Sequence, residues 1–364
     1  MVLHSSTVLT AVNFTWKKLQ DTCFMETGRA YMSSMLEKGG GTFKGIKLLL
    51  CENPLPPIDE AIAAAQAEVP QSNYYTEPFS EPLLQSIADS IGIPRRLVHI
   101  NAGSELILRQ LFDRLGQRVH LLTPTYPLFP EIAKCYTETR LLPENDFAFD
   151  LADLEIPDGT TLAVIVNPNN PNGGTFDMAP MPNLLDRYPD TRFLVDEAFI
   201  GLAGQSVAHL VPKYPNLLVT RTLSKAHSLA GFRVGYAILP EALADDLNTH
   251  NDAYPLSRPS QAAALATLQH EDKILERGIR LHAWTEQLAA ELRALGVRTY
   301  PTKTYFFLAD FTPHDAIELA AGLQKQGVFI KPLGNPTLGS GFMRVTTALP
   351  EGNARFVQAL RELL

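Results

Sequence analysis

Four side chains of complementary chemistry gather in one short stretch, RTLSKAHSLAGFRVGY at residues 221–236. Thr222 and Ser224 offer hydroxyls, Lys225 an amine, and Arg233 a guanidinium eight positions after the lysine. Hydroxyls and a guanidinium hold a phosphate through charge-assisted hydrogen bonds. An amine condenses with a carbonyl to form a Schiff base. A phosphorylated aldehyde would need all of these groups. The run Leu217-Leu218-Val219-Thr220 leads in and reads as a buried strand, so the groups collect where a strand ends. The competing reading is a solvated Ser-Lys at an ordinary strand end.

Other polar motifs also follow apolar runs. In VHINAGSELILRQLFDRLG, residues 98–116, a strand runs into Ala102-Gly103-Ser104-Glu105 and a helix begins there, with Leu106, Gln110, Leu111 and Leu115 at helical spacing. The free N–H groups of such a terminus attract an anion, and Gly103 permits close backbone approach. Capping alone also selects Gly-Ser-Glu at a helix start. Strand Val119–Leu122 precedes Thr123-Pro124-Thr125-Tyr126-Pro127, strand Leu162–Val166 precedes NPNNPNG at 167–173, and strand Phe193–Val195 precedes Asp196-Glu197-Ala198-Phe199. Alternation of strands and helices from 98 to 239 predicts a doubly wound α/β domain with a mostly parallel sheet. Ligands of such sheets sit at strand ends. Helices are predicted over Trp16–Met35, Ile58–Val69, Leu83–Ile91, from Gln261 onward, and over 272–295. The last leads to a smaller α+β unit with strands at Thr304–Leu308, Val328–Lys331 and Phe342–Thr346.

A chain of 364 residues is long for one core, so two domains are expected. A net charge of −8 argues against nucleic acid or an acidic membrane surface as the main partner. No apolar run approaches the roughly 20 residues that span a bilayer. The N-terminus has no basic region of the kind that opens a secretory signal, so a cytoplasmic location is expected. Cys23, Cys51 and Cys135 are odd in number and irregularly spaced, which suits free thiols rather than disulfides or a metal site.

Taken together and in this order, the motifs resemble the fold-type I pyridoxal-phosphate (PLP) aminotransferases, class I/II, most closely the histidinol-phosphate aminotransferase group. The resemblance covers roughly residues 50–364, opening at Glu52-Asn53-Pro54. It implies that Lys225 carries PLP as a Schiff base and takes the substrate's α-proton. It makes Gly103, Ser104, Glu105, Thr222, Ser224 and Arg233 the phosphate site. Tyr126 would stack on the pyridine ring, Asn170 would reach its O3′, and Asp196 would face the ring nitrogen and keep it protonated. A tyrosine, Tyr75 or its neighbour Tyr74, would reach the phosphate of the partner subunit in a homodimer. Arg344 would grip the substrate carboxylate. Lys331 aligns with an arginine that binds the phosphate of histidinol phosphate. The chain departs from the pattern at Asn172, where threonine is usual, and at Phe199, where tyrosine is usual. Threonine-phosphate decarboxylases are among the relatives that also carry phenylalanine there. Many members have asparagine within the 304–308 region, and this chain has none.

The implied organisation is an N-terminal arm or lid (1–51), a large PLP-binding domain (52–258) and a small C-terminal domain (259–364). A loosely packed tail is the alternative for the first segment. The implied reaction moves an amino group between an amino acid, or a similar compound, and a 2-oxo acid. A PLP-dependent decarboxylase, or another specialised PLP enzyme acting on a modified amino acid, is the alternative. A regulator built on a decayed aminotransferase fold is disfavoured by the intact Asp196–Lys225 pair and by the lack of a basic helix-turn-helix pattern. His227 is assigned no role.

Overall fold

The computed structural model describes residues 45–333 and 338–364, with the backbone of Lys17–Lys18. The helix expected over Trp16–Met35 otherwise lies outside the described residues. Thirteen strands are described: Lys17–Lys18 (β1), Ile46–Leu48 (β2), Val98–Ala102 (β3), Val119–Thr123 (β4), Cys135–Arg140 (β5), Leu162–Val166 (β6), Arg192–Asp196 (β7), Leu217–Thr222 (β8), Val234–Ile238 (β9), Arg298–Thr299 (β10), Phe306–Asp310 (β11), Val328–Pro332 (β12) and Phe342–Thr346 (β13).

The large sheet has the order β1-β5-β4-β6-β7-β8-β9-β3. Strands β4 to β8 run parallel, and β9 is antiparallel to both its neighbours. A parallel sheet is covered on both faces, so its central strands read as continuous apolar runs. β6, Leu-Ala-Val-Ile-Val, is buried throughout. Its alternate residues feed two cores: Ala163 and Ile165 on one face, Leu162, Val164 and Val166 on the other. β5, Cys-Tyr-Thr-Glu-Thr-Arg, lies near the sheet edge and carries no apolar run, so hydrophobic patterning passes over it.

Helix Ser104–Leu115 follows β3 as expected, but its buried stripe is Ile107, Leu108, Leu111 and Phe112, and Leu106 is exposed. The second sheet has the order β10-β11-β13-β12-β2. Ile46–Leu48, which the sequence reading put in the N-terminal arm, pairs parallel with Val328–Ile330 in this sheet. Helix Arg258–Leu268, read as part of the C-terminal unit, buries Ala263 and Ala264 in a core of the large sheet. The 24-residue helix Glu271–Ala294 spans both units, with Ile274 in that core and Leu288 and Leu292 in the core of the small sheet. Among the described residues no helix is long and apolar enough to cross a membrane.

Candidate active site

The end of β8, the start of β9 and the start of helix Ser104–Leu115 meet at one point. Thr222 Oγ1 lies 2.9 Å from Ser224 Oγ and 3.1 Å from the Ser224 N–H that donates to it. Both residues are buried. Gly103 has φ +89°, and a Cβ there would lie 2.2 Å from Arg233 Nη2. Gly235 pairs with Asn101 across β9 and β3, and a Cβ on it would lie 2.0 Å from Ser104 N. The two glycines therefore let a guanidinium, two hydroxyls and a helix N-terminus share one small volume. That is an anion cradle. Glu105 sits in the first turn of the helix, and its carboxylate is engaged by Arg109 at 2.9 Å.

Lys225 follows in the loop after β8. Its Nζ donates to the carbonyls of Leu50 at 3.0 Å and Cys51 at 3.1 Å. Asn53 fixes the loop from the other side, donating to the Lys225 and Ala226 carbonyls at 3.2 and 3.1 Å. Burial pulls the ammonium below its usual range; Arg344 and Arg233 push the same way, and Cys51 and Glu52 oppose them. The Phe199 ring centroid is 5.6 Å from Nζ. Tyr126, partly buried at the start of the turn after β4, has its hydroxyl pushed up to about 12, chiefly by burial.

Asp196 ends β7 with 3% of its surface exposed. Thr220, its register partner on β8, donates to Oδ1 at 3.1 Å. Burial outweighs this bond and that from the Ala198 backbone, and raises the carboxyl to about 7. No ion pair to Asp196 occurs among the described residues. A buried carboxylate in this condition fits a ligand that brings its own protonated nitrogen.

Arg344, buried on β13, donates through Nη1 to Asn170 Oδ1 at 2.8 Å and through Nη2 to the Leu49 carbonyl. Its Nε is buried without a hydrogen-bond partner. Lys331 lies directly across from it in the β12–β13 register. Burial and Arg344 both lower the Lys331 ammonium. Phe199 is buried with its ring edge-on to Tyr305 and Phe306, at 6.1 and 4.8 Å between centroids. Asn172, the departure in NPNNPNG, is buried and accepts from the Gly174 N–H at 3.4 Å.

Three residues stand outside these contacts. Tyr75 is 77% exposed, stacked on Tyr254 at 4.4 Å, and Tyr74 is exposed beside it. His227 is buried, with Nε2 at 3.1 Å from Glu271 and Nδ1 unpartnered, and it lines a cavity of about 250 Å³ with Arg221, Thr222 and Tyr236. Sequence reasoning passed over Gly235, Thr220, Tyr305 and the backbone of Leu49–Cys51. A glycine inside the β9 run was the one available signal for close approach. Backbone carbonyls leave none.

The chain matches the aminotransferase class I and II family over residues 46–360. It is 32% identical over 329 residues to a histidinol-phosphate aminotransferase of Acinetobacter baumannii, covering 87% of this chain and 90% of that protein. Among solved structures it is similar to histidinol-phosphate aminotransferase from Sinorhizobium meliloti in complex with pyridoxal-5′-phosphate, with a TM-score of 0.78, 21% identity, and coverage of 96% and 99% of the two chains. It is also similar to L-threonine-O-3-phosphate decarboxylase from Porphyromonas gingivalis, with a TM-score of 0.77, 20% identity, and coverage of 87% and 98%. The chain therefore belongs to the class I and II aminotransferases and is a PLP-dependent aminotransferase of fold type I.

Proposed function

We propose that the chain moves an amino group between a 2-oxo acid and an amino compound bearing a carboxylate or a phosphate, as its histidinol-phosphate aminotransferase relatives are named for doing. Lys331 and Arg344 carry this reading. Residues directly opposite on antiparallel strands point to the same face. Neither cation has a carboxylate partner among the described residues. Two adjacent cations without a counter-charge suit a ligand of concentrated negative charge.

The remaining roles follow from position. Gly103, Ser104, Glu105, Thr222, Ser224 and Arg233 would hold the cofactor phosphate, and Tyr126 would cover its ring. Asp196 would keep a proton on the ring nitrogen, and Asn170 would hold the ring oxygen while bracing Arg344. Bound PLP supplies the electron sink. Free Lys225 would take the substrate's α-proton on Nζ, its ammonium form held by the Leu50 and Cys51 carbonyls. Borohydride reduction and peptide mapping should place the cofactor on Lys225; a label on another lysine refutes the assignment.

A donor panel including histidinol phosphate, glutamate and phosphothreonine, run with and without 2-oxoglutarate, tests the reaction. Amino transfer should require the oxo acid. Release of carbon dioxide without it would establish the decarboxylase alternative that Phe199 suggests. We further propose a cytoplasmic homodimer. The exposed Tyr75 suits a residue that completes a neighbouring site, and free Cys51 and Cys135 suit a reducing compartment. A mixed dimer of Lys225→Ala and Tyr75→Phe chains should recover activity; a fully active monomer in sedimentation would exclude the shared site.

A further inference from the structure

The carbonyls of three consecutive residues face two of the site's cations, Arg344 and Lys225. Leu49 accepts from Arg344, Leu50 from Lys225, and Cys51 from Lys225 as well. The Cys51 oxygen has a second donor. Tyr305 Oη donates to it at 2.8 Å, so the phenol and the lysine share one acceptor. Tyr305 is completely buried, and its ring packs edge-on against Phe199 and Phe306 at 6.1 and 6.3 Å. The turn that aims the carbonyl is held against its own preference. Cys51 has φ +49°, a left-handed conformation that a residue with a Cβ adopts rarely. Besides the phenol, Thr346 Oγ1 ties the Cys51 thiol from β13 at 3.7 Å.

A carbonyl oxygen has two lone pairs, so it accommodates both donors. The donors compete for its charge. With the phenol on one lone pair, the oxygen presents less negative potential to the ammonium on the other. The remaining charged and titratable groups around Lys225 are Arg344 on β13, Arg233 beyond the lysine loop, Asp196 at the end of β7, and Cys51 and Glu52 on the segment after β2. None of them hydrogen-bonds to the Cys51 carbonyl. We propose that Tyr305 is a positioning residue for Lys225, pinning the Cys51 carbonyl in place while taking part of its accepting capacity, so that the protonated lysine is held but not trapped. The proposal rests on Lys225 being the proton-transfer group, and it explains why a phenol stands in the 304–308 region, where asparagine would be expected from the resemblance.

The test reads Lys225 itself. Full-length cofactor-free protein is pulsed with isotopically labelled acetic anhydride across pH, and the labelling of Lys225 is followed by peptide mass. Tyr305→Phe should raise the midpoint by about half to one pH unit, leaving roughly three- to tenfold less neutral amine at neutral pH. Tyr305→3-fluorotyrosine, a stronger donor of nearly the same shape, should lower it. The same displacements should appear in the pH dependence of kcat for the loaded enzyme, with KM for the amino donor unchanged. Both midpoints remaining at the wild-type value would overturn the proposal and leave Tyr305 a packing residue. If the phenylalanine variant fails to fold, the direction of the fluorotyrosine shift decides alone. Cofactor mapping to a different lysine would instead overturn the assignment of Lys225, so the two failures are distinguishable.

Discussion

Replacing Asp196 by asparagine should make the cofactor-free protein more stable at neutral pH and less able to bind PLP. The carboxyl is buried, with bonds only from Thr220 and the Ala198 backbone, and its value rises to about 7 against 3.8 for the ordinary side chain. In the unfolded chain the proton leaves near the ordinary value, whereas the folded chain keeps it until about 7. Between these limits folding takes up a proton, so stability falls as pH rises, by up to about 1.4 kcal/mol per pH unit. Across the whole window the loss reaches at most about 4 kcal/mol. Asparagine does not titrate and escapes it. Chemical unfolding of both cofactor-free proteins should therefore show wild type losing ground to Asp196→Asn from about pH 4 to pH 7, and running parallel to it above. PLP should reverse the order, because its ring nitrogen gives wild type the cation that the carboxylate lacks. A stability difference that does not vary with pH would refute the idea that Asp196 is a desolvated carboxylate prepared for a cation.

Gly235→Ala should weaken PLP binding about ten- to hundredfold, because its Cβ would meet Ser104 N at 2.0 Å and force the cradle open by at least one charged hydrogen bond. Unchanged affinity in a fluorescence titration would mean that the helix terminus does not hold the phosphate. Arg344→Lys should raise KM for the anionic amino donor about ten- to hundredfold and leave PLP affinity within a few-fold, because a lysine loses the bidentate geometry. Equal turnover of amines lacking the anionic group would refute the clamp. Phe199→Tyr should lower the pH midpoint of the cofactor's visible absorbance by about one to two units, through a new hydrogen bond to the ring oxygen. An unmoved midpoint would show that another donor already serves that oxygen.

The central strands of the large sheet, β4 and β6 to β8, were legible because each is a short, doubly covered apolar run, whereas β5 at the edge carries none; the loops after β4, β6, β7 and β8 carry residues with few other uses. Asp196, Lys225 and Asn170 were each visible in this way, and Arg344, inside β13 of the small sheet, was singled out only through the family resemblance. Their relations were not. That Lys331 lies opposite Arg344 depends on strand register, which no local pattern in β12 encodes. Tyr305 looked like one more aromatic in a buried strand, and its hydroxyl has meaning only beside Cys51, some 250 residues earlier. The acceptors of Lys225 are peptide oxygens, identical in every residue type. Ile46–Leu48 was unreadable as a strand because three residues are too few for periodicity and its partner is remote in sequence.

That last pairing bears on how the enzyme is made. Ile46–Leu48 is among the first described segments to leave the ribosome, and it waits about 280 residues for Val328–Ile330 to complete its pairing. A contact of that sequence separation is expected to form late, after the parallel strands β4 to β8 have had time to pair with nearer neighbours. The carbonyls of Leu49, Leu50 and Cys51 hang directly from that strand. On the proposed roles, a nascent or C-terminally truncated chain would have its phosphate cradle before it has a seat for the lysine's proton. Cofactor capture would then precede catalytic competence during synthesis, and the last strands of the chain would be the step that arms it.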